Sequence, residues 1–269
     1  MSLKHYKPTT PTKRHTIKIN YLKDNIWRGS PFKTLSSGLN KTGGRNNSGS
    51  ISSFHIGGGH KKSYREIDFV REILDIPGII SRIEYDPNRS SYIALIVYRS
   101  GSTKYILATE GTQRGDVLIS TRKGDLDIKI GNAMPLSEIP LGTKIHNIEN
   151  HPFAGGSIVR AAGTFGKIIK LDNEVATVRL RSKRELVIPC TCLASIGIVS
   201  KLDHKNIQIG KAGYNRYLGI KPTVRGVAMN PVDHPHGGGE GKTSGGRASV
   251  TPWGRPTKGY RTKRKQIKN

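Results

Sequence analysis

The sequence predicts a mainly β fold, in which two β regions lie between long, basic, irregular N- and C-terminal extensions. Short β-rich runs alternate with turn signals in the middle of the chain, whereas glycine, proline and lysine dominate its ends. The 269 residues include 45 Lys and Arg against 19 Asp and Glu, a formal net charge of +26. Only 34% are hydrophobic and 6% aromatic, so we expect packed cores to use only part of the length.

This charge excess indicates the partner. So many cations repel one another in a free globule, but they release counterions when they bind a polyphosphate. Nucleic acid is therefore the predicted partner, and we expect neither a membrane nor a small-molecule substrate, because no apolar run is long enough to cross a bilayer. The first fifteen residues resemble neither a secretory signal nor a transit peptide, since Pro8 and Pro11 would break a helix.

The N-terminal extension, residues 1–62, has no sustained hydrophobic period. Its glycine run lets backbone approach a polyphosphate closely, and Phe54 and Tyr64 offer stacking planes beside the cations. A flexible linker is the alternative, but a linker does not need interleaved cations and aromatic rings. In and just after this extension, the predicted RNA contacts are Arg45, Asn46, Asn47, His55, Gly57, Gly58, Gly59, His60, Lys61 and Arg65.

The first β region begins at Ile79. Turn signals at Asp86-Pro87-Asn88 and at Ser100-Gly101-Ser102 divide it into three runs, which predicts an antiparallel meander. A further short run at 115–119 favours a small closed barrel, with a composition that resembles an OB-type barrel.

The second β region begins near Pro140 and contains two hairpins between Lys167 and Pro189, with turns at Asp172-Asn173 and Ser182-Lys183. Arg179 and Arg181 alternate with apolar residues, so we expect them to face outward toward phosphate.

Cys190 and Cys192 lie two apart in a strand-like segment. We expect reduced thiols, one buried and one turned away, and no metal site, because a lone Cys-x-Cys pair is a weak metal signal.

The C-terminal extension, residues 201–269, is rich in glycine, proline and basic residues, with one short helix predicted around 212–218. The segment VRGVAMNPVDHPHGGGEG, residues 224–241, cannot form a regular helix or strand and is predicted to be an irregular loop that touches a partner. Its histidines are interpreted as donors to RNA, or alternatively as groups that only order the loop. The predicted RNA contacts in this extension are Arg225, Asn230, Asp233, His234, His236, Trp253, Arg255 and Lys258.

An enzyme is not predicted. HGGGEGKT, residues 236–243, is similar to a nucleotide-binding phosphate loop, but no buried strand precedes it and no helix follows it. Asp233, His234 and Ser244 do not form a hydrolytic triad by sequence pattern, because no strand–turn–helix elbow frames the serine. A catalytic role for His234 is kept only as a weak hypothesis.

Several motifs together resemble the universal large-subunit ribosomal protein two family, the L-two family, over nearly the whole chain. They include GRNN at Gly44, EYDPNR at Glu84, RAAGT at Arg160, RGVAMNPVDHPHGGGEG at Arg225 and VTPWG at Val250. The resemblance implies an OB-type barrel at 63–127, a Src-homology-3-like barrel at 128–200, and two extensions threaded into ribosomal RNA.

By the same resemblance, the chain is a structural constituent of the large ribosomal subunit. It would bind large-subunit ribosomal RNA and support subunit association and assembly of the peptidyl-transferase region. Arg89 and Arg160 correspond to barrel contacts with RNA, and the histidine loop to the part nearest the peptidyl-transferase region. Implied partners are neighbouring ribosomal proteins and the small subunit, with no cofactor other than magnesium held by the RNA. The alternative is a free RNA-binding regulatory or processing protein.

Two departures from the family pattern stand out. Phe153-Ala154 occupies the turn where the family usually has a lysine. Ser50 stands where an arginine usually follows the pattern GRNN-x-G, here residues 44–49. Together with abundant Ile, Lys and Asn, this loss of cations indicates a mitochondrial ribosome, with bacterial cytoplasm or plastid as alternatives.

Overall fold

The structure, a computed structural model, describes residues 3–21, 25–123 and 126–260. Its strands are β1 (Leu3–His5), β2 (Ile17–Ile19), β3 (Ser36–Gly38), β4 (Ser63–Arg65), β5 (Gly78–Tyr85), β6 (Tyr92–Tyr98), β7 (Thr103–Leu107), β8 (Val117–Leu118), β9 (Ala133–Pro135), β10 (Lys144–His146), β11 (Ile148–Glu149), β12 (Gly156–Ile158), β13 (Gly166–Leu171), β14 (Val175–Leu180), β15 (Glu185–Pro189) and β16 (Leu193–Ile196). The α-helices are α1 (Pro11–Arg14) and α2 (Gly213–Leu218), and single 3-10 turns lie at Lys33–Leu35, Leu136–Glu138, Leu202–Asn206 and Gly226–Ala228.

The first β region forms an antiparallel sheet in the order β7-β6-β5-β8. The predicted meander is confirmed: β5 pairs with β6 across the Asp86–Asn88 turn, and β6 pairs with β7 across the Ser100–Ser102 turn. The short run at 115–119 supplies β8, which pairs with the start of β5. One face of this sheet packs into a core that includes Ile80, Ile96 and Ile106.

Residues of the N-terminal extension cover the other face. Phe32 and Leu35 pack against a buried cluster that contains Ile93, Leu95 and Tyr105. The backbone N–H of Phe32 donates to the Tyr105 hydroxyl at 2.9 Å. Because β6 is therefore buried on both sides, its sequence YIALIVY reads as a continuous apolar run with no alternation.

The second β region forms a six-stranded sheet in the order β15-β14-β13-β10-β16-β9. Both predicted hairpins are confirmed, since β13 pairs with β14 and β14 pairs with β15. Val178 is buried and Arg179 exposed, as the alternation in β14 predicts. The core of this sheet includes Ile145, Ile168 and Ile188.

Both sheets curl into half-barrels, and the fold is an OB-type barrel followed by a Src-homology-3-like barrel, as predicted. The helix predicted near residue 212 is also present, as α2.

The prediction for the cysteines is wrong in one respect. Cys190 and Cys192 are both free thiols, as expected, but both are buried. The chain turns between β15 and β16, so the two side chains do not follow the alternation of a strand. Burial raises the pKa of Cys192 to about 11.

Compact packing divides the chain into two units. Residues 1–41 and 60–214 form the first unit, which contains both half-barrels, and residues 42–59 and 215–269 form the second. In the second unit, the backbone N–H of Gly57 donates to the Gly219 carbonyl at 2.9 Å, and that of Lys221 donates to the His55 carbonyl at 2.8 Å. Parts of the two extensions therefore pair with each other, which hydrophobic periodicity did not reveal.

A buried histidine predicts how stability depends on pH. His146 contacts the Gly197 carbonyl through Nδ1 at 3.2 Å and the Thr109 hydroxyl through Nε2 at 3.4 Å. Burial, with the charge of nearby Arg71 as the second cause, lowers its pKa from 6.5 to about 3. Below about pH 6.5 the unfolded chain thus binds a proton that the folded chain does not, so acid destabilises the fold.

We expect the free energy of unfolding to fall by about 2 kcal/mol between roughly pH 7 and pH 5. Urea unfolding at each pH measures this change. His146→Gln is the control, because glutamine keeps a donor and an acceptor but does not titrate. An equal pH slope in wild type and variant would contradict the assignment.

Candidate nucleic-acid interface

The histidine loop, residues 224–241, is irregular apart from one 3-10 turn, as predicted. Its backbone is nevertheless bonded internally: the N–H of Gly237 donates to the His234 carbonyl, and that of Gly238 donates to the Met229 carbonyl. The His236 ring extends this order, because its Nε2 accepts from the Val250 N–H at 3.0 Å and its Nδ1 lies 3.0 Å from the Gly245 carbonyl. Since Nε2 accepts, Nδ1 carries the proton and donates. Both ring nitrogens of His236 thus fix the loop.

His234 is buried within the same loop. Its Nδ1 accepts from the backbone N–H of His236 at 3.0 Å, and the two imidazoles stack with centroids 5.1 Å apart. The ring lies directly against Gly226, where an added Cβ would come within 2.6 Å of His234 Cε1. The structure therefore favours the alternative in which the histidines order the loop, and their contact with RNA stays a prediction.

This geometry also bears on the catalytic hypothesis for His234. In a carboxylate-oriented general base, Nδ1–H donates to the carboxylate so that Nε2 is free to take a proton. Here the backbone N–H of His236 donates to Nδ1, so Nε2 carries the proton of the neutral ring. This is the opposite tautomer from that of a general base, and it argues against the catalytic hypothesis. Asp233, the adjacent acid, is exposed.

The glycine run of the N-terminal extension lies against the chain around Gly219. A Cβ at Gly59 would lie 2.7 Å from the backbone nitrogen of Gly219, and Gly59 has a φ of +78°, so no other residue fits without strain. Asn46 closes a separate small turn, because its Oδ1 accepts from the backbone N–H groups of Ser48 and Ser50. These residues shape the surface that the second unit presents.

Most of the other predicted contact residues lie on the surface of their own units. In the second unit the exposed ones are Arg45, Asn46, Asn47, His55, Gly58, Gly59, Arg225, Asn230, Asp233, Trp253, Arg255 and Lys258, and in the first unit they are His60, Lys61, Arg160, Arg179 and Arg181. Gly57 is half-buried. Within the second unit, the rings of Phe54 and Trp253 lie 6.1 Å apart, and both are exposed.

Three predicted arginines are engaged by the protein itself. Arg65 is only 8% exposed; its Nη1 donates to Ser63, and its Nε has no hydrogen-bond partner among the described residues. Arg179 pairs with Glu185 at 2.9 Å on the surface, and Arg181 donates to the Gly163 carbonyl at 2.6 Å. Arg179 in β14 and Arg181 just after it therefore face outward as predicted, but Glu185 balances the charge of Arg179.

A recurrent arrangement was not predicted. Among the described residues, three arginines combine an ion pair to a buried carboxylate with a guanidinium over an aromatic ring. Each carboxylate fixes its arginine, and each arginine supports a ring. The three sets are Glu84, Arg82 and Trp27; Asp86, Arg89 and Phe69; and Glu149, Arg122 and Phe153, with guanidinium-to-centroid distances of 4.8, 5.7 and 4.2 Å respectively.

The set around Phe69 joins the two arginines implied by the family resemblance. Arg89 pairs with Asp86 at 2.6 Å, while Arg160 lies 4.6 Å over the same Phe69 ring and remains exposed. Of the two, Arg160 is the better candidate for a phosphate contact, because no carboxylate pairs with it among the described residues. Sequence reasoning missed Arg122 altogether, since its partner Glu149 lies 27 positions away.

Two other findings concern the described part of the chain. No three His, Cys, Asp or Glu side chains come together there in a way that would hold a metal ion. None of its helices is long and apolar enough to span a bilayer.

Comparison with known proteins identifies the family of this chain. Residues 32–120 match the family model "Ribosomal Proteins L2, RNA binding N-terminal domain", and residues 129–254 match "Ribosomal Proteins L2, C-terminal domain". The chain belongs to the ribosomal L2 family. It is 54% identical over 264 residues to the large ribosomal subunit protein uL2 of Rickettsia canadensis, covering 98% of this chain and 95% of that protein. It is 53% identical to the uL2 protein of Parvibaculum lavamentivorans, covering 98% and 93%.

The packing of His234 on Gly226 yields a test of the loop. Gly226→Ala should displace the His234 ring, which stacks on His236, the ring whose Nε2 accepts from the Val250 N–H. Amide hydrogen exchange at Val250 should speed up by about 5- to 150-fold, because overpacking costs about 1–3 kcal/mol. Gly213→Ala is the control, since nothing lies within 4 Å of its added Cβ. Unchanged exchange in Gly226→Ala would show that the ring does not hold the loop.

The ion pair of Arg122 with buried Glu149 yields a second test. Arg122→Ala should lower the free energy of unfolding by about 3–5 kcal/mol, because it leaves a carboxylate buried without its partner. Lys129→Ala, which breaks an exposed pair with Asp127, should change it by less than about 1 kcal/mol. Chemical denaturation of both variants measures the difference, and equal losses would contradict the role of burial.

Proposed function

We propose that this chain is a structural constituent of the large ribosomal subunit that binds large-subunit ribosomal RNA. The observation that carries the proposal is the match of both β regions to the two domains of the ribosomal L2 family, the first of which is described as RNA-binding. The relatives at 54% and 53% identity carry the name large ribosomal subunit protein. The net charge of +26 and the exposed cations of both units support an RNA partner.

Support of subunit association and of peptidyl-transferase assembly is part of the same proposal. Neighbouring ribosomal proteins and the small subunit are the partners it requires. The internally bonded histidine loop supports a positioning role rather than a catalytic one, because its imidazoles already bond within the loop. We propose that no cofactor is needed other than magnesium bound by the RNA.

Gradient sedimentation of the tagged chain tests the proposal. It should travel with the large subunit, and the pattern should change when magnesium is removed, because the RNA then loses its compact form. Recovery only in light fractions, bound to other RNA, would favour the alternative of a free regulatory or processing protein.

The compartment is a finer proposal. The family match and the bacterial relatives support a bacterial-type ribosome. We propose a mitochondrial ribosome on the strength of the Ile-, Lys- and Asn-rich composition and the missing cations at Ser50 and Phe153-Ala154. Ribosomes from purified mitochondria should contain its peptides by mass spectrometry, and their detection only in ribosomes of a bacterial cell or a plastid would overturn this placement.

Arg160 provides a quantitative test of RNA contact. Arg160→Ala should reduce the slope of log affinity against log salt concentration by about 0.7–0.9, because one phosphate contact is lost. Titration of large-subunit ribosomal RNA at several salt concentrations measures it. Lys129→Ala removes an exposed charge outside the proposed contacts and should leave the slope unchanged. We prefer Arg160 to Arg89, whose removal would strand buried Asp86.

A further inference from the structure

Phe153 is the most exposed ring of the three arginine–aromatic sets. It is 71% exposed and lies in the turn formed by residues 151–154, where the Ala154 N–H donates to the His151 carbonyl. Its backbone φ is +65°, in the left-handed region that favours glycine or asparagine. A bulky aromatic residue at such a position is strained, and most of this side chain stays exposed to solvent. Packing therefore does not account for a phenylalanine here.

The ring is supported from within the protein. The Arg122 guanidinium lies 4.2 Å from the ring centroid. Arg122 is itself fixed, because both of its terminal nitrogens donate to the buried Glu149 carboxylate, at 2.8 and 3.3 Å. Glu149 also accepts from the Leu193 N–H at 2.9 Å, which ties the set to β16. The arginine therefore holds one side of an otherwise exposed ring in place.

An exposed arginine, Arg160, follows this ring by seven residues in the sequence. Arg160 donates to the Gly156 carbonyl at 3.4 Å, and Gly156 is three residues from Phe153, so their Cα atoms are no more than about 11 Å apart. The backbone of Gly156 donates in turn to the Phe69 carbonyl at 2.8 Å. An exposed aromatic ring only seven residues before an exposed arginine, Arg160, matches a base and its phosphate better than it matches an apolar peptide.

We propose that Phe153, supported by Arg122, is a stacking platform for an unpaired nucleobase of the bound RNA. The inference rests on the proposed RNA-binding function and adds the chemical class that this turn accepts: a single-stranded or bulged nucleotide whose base stacks on the outer face of the ring. A base within a duplex presents no free face, so the platform distinguishes unpaired from paired RNA. The same turn lacks a cation of its own, and stacking supplies affinity there without charge.

The test uses the full chain and Phe153→Gly, which removes the ring and suits the positive φ. The melting temperature should stay within about 2 °C of wild type, because strain relief offsets the lost contact with Arg122. Affinity for an oligoadenylate of about 12 nucleotides should fall by about 5- to 150-fold, the range of one lost base stack. Affinity for an RNA duplex of equal charge should not change, and neither should the salt slope for the oligoadenylate.

Two further variants sharpen the test. Phe153→Tyr should bind the oligoadenylate like wild type, whereas Phe153→Leu, equally apolar but without an aromatic face, should lose affinity like Phe153→Gly. Val187→Ser removes another exposed apolar side chain and should have no effect.

The outcomes separate this inference from the proposed function. If wild type binds both RNAs and Phe153→Gly binds them equally well, the platform is wrong while RNA binding stands. Equal losses for the oligoadenylate and the duplex would also overturn it, because a stack affects only the unpaired strand. Unchanged RNA affinity with poor incorporation into large subunits would assign the ring to a protein partner instead. If wild type binds neither RNA, the proposed function itself fails.

Discussion

The burial of a few carboxylates among an excess of cations is the constraint on which the rest of the structure depends. With 45 basic against 19 acidic residues, most cations can only point outward, where they repel one another. Glu84, Asp86 and Glu149 are nonetheless buried, and each pairs with an arginine. A buried carboxylate is tolerated only when its partners are well placed, so each pair also fixes the chain around it.

The partners of these carboxylates are backbone and side-chain groups from distant segments. Glu84 accepts from the Tyr105 hydroxyl at 2.9 Å, and Tyr105 in turn accepts from Phe32, so the carboxylate joins two strands to the N-terminal extension. Glu149 joins β11 to β16 through the Leu193 N–H. These bonds tie extension and barrels together in a chain with a small apolar fraction. The guanidinium groups of the arginines that balance these carboxylates also lie over aromatic rings. The ion pairs that stabilise the core therefore also position these rings.

The sequence predicted what local patterns determine. The meander after Ile79 and the hairpins after Lys167 follow from turn residues between β-rich runs, and both are correct. The cysteine prediction failed because it assumed a strand where the chain turns. Pairing of Gly57 with Gly219 and of Arg122 with Glu149 could not be predicted, because neither backbone hydrogen bonds nor ion pairs between distant segments leave a periodic signal. For the candidate site, most of the residues predicted from the sequence are exposed, but the rings that the arginines support were not predicted.

The histidine loop and the Phe153 turn apply one physical solution to the same problem. Each must keep a defined shape at the surface, where little apolar area is available for packing. In the loop, the His236 ring forms a hydrogen bond at each nitrogen, and the His234 ring packs directly against Gly226. These two imidazoles hold the loop in the way that apolar side chains would in a core. In the turn, Glu149 and Arg122 hold an exposed ring whose backbone is strained. A segment that is already fixed in this way loses less conformational entropy on binding than a flexible one, so any partner that contacts it meets a preformed shape.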